Sequence, residues 1–194
     1  MNDSYKTIKD KGEGFYSEKR SKFLAFAHHV KSVEEAMELI EMYRKKYYDA
    51  RHCCWAYMLG SDGETFRAND DGEPSSTAGK PILGQIRSSE LSDVLICVVR
   101  YYGGVNLGTG GLIVAYRTAA ADAIANSKIE ERLVEEKITY RFSYPMMNSV
   151  MQVVKSTEAR IIAQNFDNTC EIVLSIRQSR AEELKQRLKH LSFE

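Results

Sequence analysis

Long hydrophobic runs are missing from this chain of 194 residues, and cysteines are few, only four. No apolar stretch approaches the ~20 residues that a membrane-crossing helix requires. The opening MNDSYKTIKDKGEG lacks the apolar core of a signal peptide. The expectation is a cytoplasmic protein with no membrane partner. Cys53, Cys54, Cys97 and Cys170 form no CxxC pair, so neither a zinc ribbon nor a thioredoxin-type motif is indicated. Cys97 and Cys170 lie in apolar, strand-like runs and read as small buried hydrophobes. A net charge is missing too, since 27 basic residues face 27 acidic ones, whereas a dedicated nucleic-acid binder carries a basic excess. The balance hides a slope: residues 137–194 hold nine basic and six acidic side chains, which permits an RNA or ribosome contact without demanding one. There is no internal repeat, coiled coil or low-complexity segment.

Apolar residues make up 43% of the chain, too many for a disordered polymer. The length suits one large domain or two small ones. Phe15 lies in a first strand and Lys22–Val30 form a second, with SEKRS between them as a turn. Ser32 and Glu35 stand at capping-box spacing, and Ala36, Leu39, Ile40 and Tyr43 follow at helical spacing, so a helix is predicted to Tyr47. Cys53–Leu59 read as a strand, Asp62-Gly63 as a tight turn, and Thr65–Arg67 as a short return. Residues 69–80 form a polar loop that a short helix follows. Asp93–Tyr102 read as a buried strand, Gly103–Gly111 as a glycine-rich loop and Leu112–Ser127 as a helix. The charged stretch 128–137 reads as the boundary between residues 1–133 and 137–194. Beyond it come strand, helix (from Pro145, suited to a first turn), strand, turn, strand and helix. This β-α-β-β-α order is ferredoxin-like, with only LSFE at the end to supply a fourth strand. The fold class is therefore α+β.

Two loops attract attention. In the glycine-rich loop, free N–H groups at the next helix start favour an anion. Thr109 adds a hydroxyl, and Arg100 at the strand end has the fork geometry for phosphate. A tight turn that needs glycine only for its backbone explains the same residues equally well. No P-loop ending and no GxGxxG context accompanies the loop. In the acidic loop, Asp70, Asp71 and Glu73 would hold a cation, meet a basic partner or act as acid and base; the plain alternative is a solvated turn satisfying its own backbone. The rhythm is not that of an EF-hand. His52 and Cys53 are adjacent and so face opposite sides of a strand, which argues against a dyad.

Taken together, DDGEPSSTAGKPIL and VVRYYGGVNLGTGGLIVAY closely resemble the motifs of the YigZ/IMPACT family, and HCCWAY resembles that family's preceding strand. The resemblance covers nearly the whole chain and points to a two-domain bacterial member. It implies an N-terminal left-handed β-α-β fold like those of ribosomal-protein and elongation-factor domains. It also implies a C-terminal domain similar to the last domain of a translocation factor. Eukaryotic members regulate translation by competing for an activator of a starvation-responsive kinase. The motif places Asp70, Asp71, Gly72, Glu73, Pro74, Thr77, Gly79, Lys80, Arg100, Tyr101, Gly103, Gly104, Gly108, Gly110, Gly111 and Tyr116 on the family surface. Val114 departs from the Lys or Arg common in relatives, and relatives often continue beyond Glu194 through a last strand, so the final sheet is expected to be incomplete or to borrow an edge.

The reading that follows is a translation-associated regulator, not an enzyme, that binds RNA or the ribosome. Lys80, Arg100, Tyr101, Gly103, Gly104, Gly108, Thr109, Gly110 and Gly111 would contact phosphate, Tyr101 and Tyr102 would offer a stacking face, and Asp70, Asp71 and Glu73 would order the loop by pairing with Lys80 or Arg100. No metal and no cofactor is expected. The alternatives are a small-molecule phosphate-binding enzyme and a protein-interaction module in which the acidic loop meets a partner in translation control. The claim on which all of this depends is that the two loops converge into one crevice that welcomes negative charge.

Overall fold

The computed structural model describes residues 3–192. The chain is α+β and divides into two compact units: Tyr5–Arg132, and Leu133 onward together with Asp3 and Ser4.

The first unit contains β1 (Ser4–Asp10), β2 (Gly12–Glu18), β3 (Ser21–His29), α1 (Val33–Lys46), β4 (His52–Leu59), β5 (Thr65–Asn69), α2 (Gly79–Ser88), β6 (Val94–Tyr101), α3 (Gly108–Ala125) and β7 (Lys128–Leu133). Five strands form one sheet in the order β2-β3-β6-β4-β5, antiparallel at each step. Strands β3 and β4 are both antiparallel to β6 and so run parallel to each other, with α1 between them in sequence. Because side chains alternate along a strand, the two faces separate by parity. Phe26, Trp55, Tyr57, Leu95, Cys97 and Val99 pack under Ile40 and Tyr43 of α1. Phe23, Ala25, Cys54, Ala56, Ile96 and Val98 pack under α2 and α3. A sheet covered on both faces reads as continuous apolar runs, which is why Cys53–Leu59 and Val94–Val99 show no alternation in the sequence.

Local signals explain the helix ends. Ser32 Oγ accepts the Glu35 amide at 3.1 Å, while the Glu35 carboxylate takes the amide of Lys31 at 2.9 Å, one residue before the position a standard capping box would use. Alanines 115, 119, 120 and 123 give α3 a flat buried face. Strand β2 lies so close to it that a Cβ on Gly14 would sit 2.4 Å from the Ala123 nitrogen. Two sequence expectations change here, and one strand is added to them. Helix α3 starts at Gly108, inside the glycine-rich loop and four residues before the apolar periodicity begins. Ser4–Asp10 form a strand that polar composition concealed, paired with β7. Residues 128–137 are not a loop: all but Val134 belong to β7 and β8, because pairing rather than hydrophobicity holds them extended.

The second unit comprises β8 (Glu135–Phe142), a 3-10 turn (Tyr144–Met146), α4 (Met147–Ser156), β9 (Arg160–Phe166), β10 (Cys170–Arg177) and α5 (Gln178–Leu191). Its sheet has the order β8-β10-β9, antiparallel throughout, the ferredoxin-like arrangement with no fourth strand among the described residues. Pro145 occupies the 3-10 turn rather than the first turn of α4. Ile172, Leu174, Val150, Leu184 and Leu188 form the core. Of the LSFE segment, Leu191 ends α5 and Ser192 is its C-cap, while Phe193 and Glu194 lie outside the described residues. Asp3 joins this unit from the chain start: its carboxylate accepts Arg177 Nε at 2.6 Å and the Ser179 amide at 3.2 Å, satisfying an otherwise bare N-terminus of α5.

Candidate functional site

The β-sheet register creates the site. Phe23, Arg100 and His52 stand side by side on β3, β6 and β4, on the face that α2 and α3 cover. Arg100 shares the parity of Val94, Ile96 and Val98, so the pleat delivers a guanidinium into apolar surroundings where only 5% of the residue is exposed. A buried charge needs a partner, and the acidic loop supplies one. Glu73 Oε1 accepts Arg100 Nη1 at 2.6 Å and the Tyr116 hydroxyl at 2.7 Å. Arg100 Nη2 reaches Ser21 Oγ at 3.5 Å, its carbon lies 5.6 Å from the Phe23 ring centroid and 5.5 Å from that of Tyr102, and its Nε has no partner among the described residues. Burial holds the Tyr116 hydroxyl and the Cys54 thiol far above their usual values, so both stay protonated as donors. Cys54 Sγ lies within donating reach of the Asp70 carbonyl, 3.1 Å, and the Tyr116 hydroxyl, 3.3 Å. His52 Nδ1 donates to the Asp71 carbonyl at 2.7 Å, which leaves Nε2 facing Glu73 Oε1 at 3.7 Å.

The other two carboxylates of the acidic loop have structural partners. Asp70 accepts the amides of Ser76, Ala78 and Gly79 at 2.9, 3.2 and 2.8 Å and so caps the start of α2, whose own N-cap residue, Ala78, has no polar side chain. Asp71 accepts the Cys53 amide at 2.7 Å and Arg44 Nη2 at 3.1 Å, tying the loop to β4 and α1. Asp71 and Ser76 hold positive φ values of 42° and 66°, a conformation these anchors impose.

Above Glu73 and Arg100 opens a cleft of about 410 Å³, walled also by Arg51, His52, Tyr102 and Thr109. The Arg51 guanidinium stacks 5.3 Å from the centroid of Tyr102 and makes no ion pair among the described residues. The Tyr102 hydroxyl donates to Asn106 Oδ1 at 3.1 Å. Helix α3 begins on the same wall with no side-chain cap and no acidic residue in its first turn, and Gly108 turns into it at φ 72°. Unpaired first-turn amides and the positive end of the helix dipole both favour an anion.

The two loops thus meet at one cleft, but not all the residues singled out in the sequence reach it. Glu73, Arg100, Gly108 and Thr109 do. Gly110 and Gly111 line a neighbouring cavity of about 280 Å³ with Tyr16 and Lys19. Lys80 lies exposed on α2, and the carboxylate beside Arg100 is Glu73, with Lys80 in no such pair. Tyr101 points to the opposite face of the sheet from Arg100; its hydroxyl donates to Asp49 at 2.8 Å, and burial together with Asp49 pushes its pKa up to about 12. It therefore shares no stacking face with Tyr102. Gly103 donates its amide to Ser21 Oγ at 3.1 Å and passes too near the Arg20 backbone to carry a Cβ, while Gly104 is exposed at φ 85°. Tyr116 is fully buried, not on the surface: it reaches Glu73 from beneath. Sequence reasoning missed Arg51, Ser21 and the role of His52. Parity of His52 with Cys54 was the available signal, but only the pairing register places it beside Arg100. Among the described residues no group of three or more His, Cys, Asp or Glu side chains is placed to hold a metal ion, and no helix is long and apolar enough to cross a membrane.

A family model, the Impact N-terminal domain, matches residues 19–124. An IMPACT family member of Haemophilus influenzae is 32% identical over 178 residues, covering 90% of this chain and 85% of the relative. IMPACT family member YigZ of Escherichia coli is 30% identical, covering 90% and 86%. A protein IMPACT homolog of Saccharomyces cerevisiae is 32% identical over a shorter stretch, 47% of this chain and 37% of the relative. A crystal structure described as that of a hypothetical protein superposes with a TM-score of 0.77 at 28% identity, covering 99% of this chain and 94% of the other.

Proposed function

Because the chain belongs to the IMPACT family, we propose that it acts in translation control by binding single-stranded RNA, with one backbone phosphate seated at the start of α3. The observation that carries this reading is the convergence on one cleft of an uncapped helix N-terminus and the Arg51 guanidinium, which has no ion pair among the described residues. Backbone amides at such a terminus position a phosphate, and Arg51 with Tyr102 presents a flat surface on which an unstacked base can lie. Arg100 has a different part. Its charge is spent on Glu73, so it serves as the fixed floor of the cleft rather than as the phosphate anchor. With one exposed guanidinium and a neutral chain overall, the affinity is modest and falls with salt. The resemblance to eukaryotic regulators of translation supplies the setting, with ribosome-bound RNA as one source of the ligand. A protein partner docking on the acidic loop has less support, since all three carboxylates already have partners within the chain.

Anisotropy titration of a labelled single-stranded RNA between about 50 and 200 mM salt tests this, the expectation being a falling log–log plot. Arg51→Ala weakens binding across all sequences and lowers the slope by about one. A flat plot, or an Arg51→Ala protein that binds as the parent does, overturns the proposal.

A further inference from the structure

Glu73 has a second oxygen. Oε1 takes Arg100, Tyr116 and the approach of His52. Oε2 accepts no hydrogen bond from any described residue, although the side chain is only 3% exposed and Glu73 lines the cleft. Oε2 is not among the sealed, unpartnered atoms, so it opens to the cleft and its lone pairs are available to a donor there. The loop that carries it is pinned by Asp70 on three amides and by Asp71 on β4 and α1, so Glu73 does not swing aside when a ligand enters. The cleft then presents two unlike demands: an anion at the α3 terminus, and a hydrogen-bond donor at Glu73 Oε2.

We propose that Glu73 reads the ribose 2′-hydroxyl and makes the cleft selective for RNA over DNA. A phosphate oxygen facing Glu73 would meet like charge, and a deoxyribose would offer Oε2 no donor. A ribonucleotide carries the required donor a few bonds from its phosphate, and the hydroxyl both accepts and donates. His52 supports the arrangement. Its Nδ1 is held by the Asp71 carbonyl, which fixes the ring with Nε2 3.7 Å from Oε1. The inference rests on the phosphate-binding reading above and adds to it the residue that distinguishes the sugar.

The test compares three labelled oligonucleotides of one sequence, all ribo, all 2′-fluoro and all deoxy, binding to the full chain. The 2′-fluoro strand keeps an RNA-like sugar but lacks the donor. The expected order is ribo at least tenfold tighter than 2′-fluoro, with deoxy no better than 2′-fluoro. Glu73→Asp keeps the charge opposite Arg100 while drawing the oxygens back from the cleft, and it brings the ribo and 2′-fluoro affinities together; Glu73→Gln, where it folds, does the same. Equal binding of ribo and 2′-fluoro strands by the parent protein overturns the inference while leaving phosphate binding intact, as does a preference that survives Glu73→Asp. Binding of none of the strands overturns the phosphate reading itself.

Discussion

Glu73→Gln isolates the buried ion pair on which the site is built. The two side chains are 3% and 6% exposed and 2.6 Å apart, so almost no water remains to screen either charge. The amide retains an oxygen for the Tyr116 hydroxyl, yet Arg100 keeps a full positive charge that it cannot shed. Removing one member of a buried pair leaves the other charged and uncompensated, and costs about 3–5 kcal/mol. Arg100→Met is milder, because a stranded carboxyl can take up a proton and a stranded guanidinium cannot lose one. The double variant Glu73→Gln/Arg100→Met removes both charges and is expected to recover most of the loss, since apolar replacements of buried pairs are often neutral. Urea unfolding followed by Trp55 fluorescence reads the first unit alone, because Trp55 is the only tryptophan and sits in its sheet. Should Glu73→Gln lose less than about 1 kcal/mol, the ordinary worth of an exposed pair, or should the double variant be no better than the single, the desolvated pair would not be the keystone described here.

Three further outcomes follow from the same geometry. Asp70→Ala strips the α2 start of its cap and costs about 1–2 kcal/mol, with faster hydrogen exchange at the Ser76, Ala78 and Gly79 amides; unchanged exchange there contradicts the capping role. Burial lowers the His28 pKa to about 4 from 6.5, and burial with the Arg132 charge lowers that of His29. The unfolded chain therefore takes up protons first, so stability present above pH 6.5 is lost as the pH falls towards 4; His28→Gln should flatten that part of the stability profile, and an unaltered profile would remove His28 as its source. Gly14→Ala drives a methyl group against the α3 backbone and should cost about 1–3 kcal/mol by overpacking, seen as a lower urea midpoint; an unmoved midpoint would mean that β2 is not held against α3.

Much of this architecture was legible because periodicity is a local property. The α1 boundaries followed from Ser32 and the Ala36–Tyr43 spacing, and the β-α-β-β-α order of the last third followed from its alternating apolar blocks. Ser4–Asp10 escaped because nothing in SYKTIKD distinguishes an extended polar segment from a strand whose partner lies about 120 residues away. The early start of α3 escaped because GTGG carries no helical pattern and becomes helical only by continuing Leu112 onward backwards. At the site, sequence proximity suggested that Asp70, Asp71 and Glu73 act together. Folding gives them three separate tasks, since an amide, a guanidinium and a helix end come to each from a different part of the chain.

The second unit is assembled from both extremities of the polypeptide, with Asp3 capping a helix that begins at Gln178. During synthesis the stretch Tyr5–Arg132 is complete long before that helix emerges, whereas its companion must wait for the last turn of α5 to be made. The chain passes from one unit to the other twice, so a protease cut between Arg132 and Leu133 breaks the second of these covalent links, and the piece from Leu133 onward then keeps Asp3 only through its hydrogen bonds to Arg177 and Ser179. A change at Asp3 is thereby a change to the distal unit, although Gln178 lies far along the sequence from it.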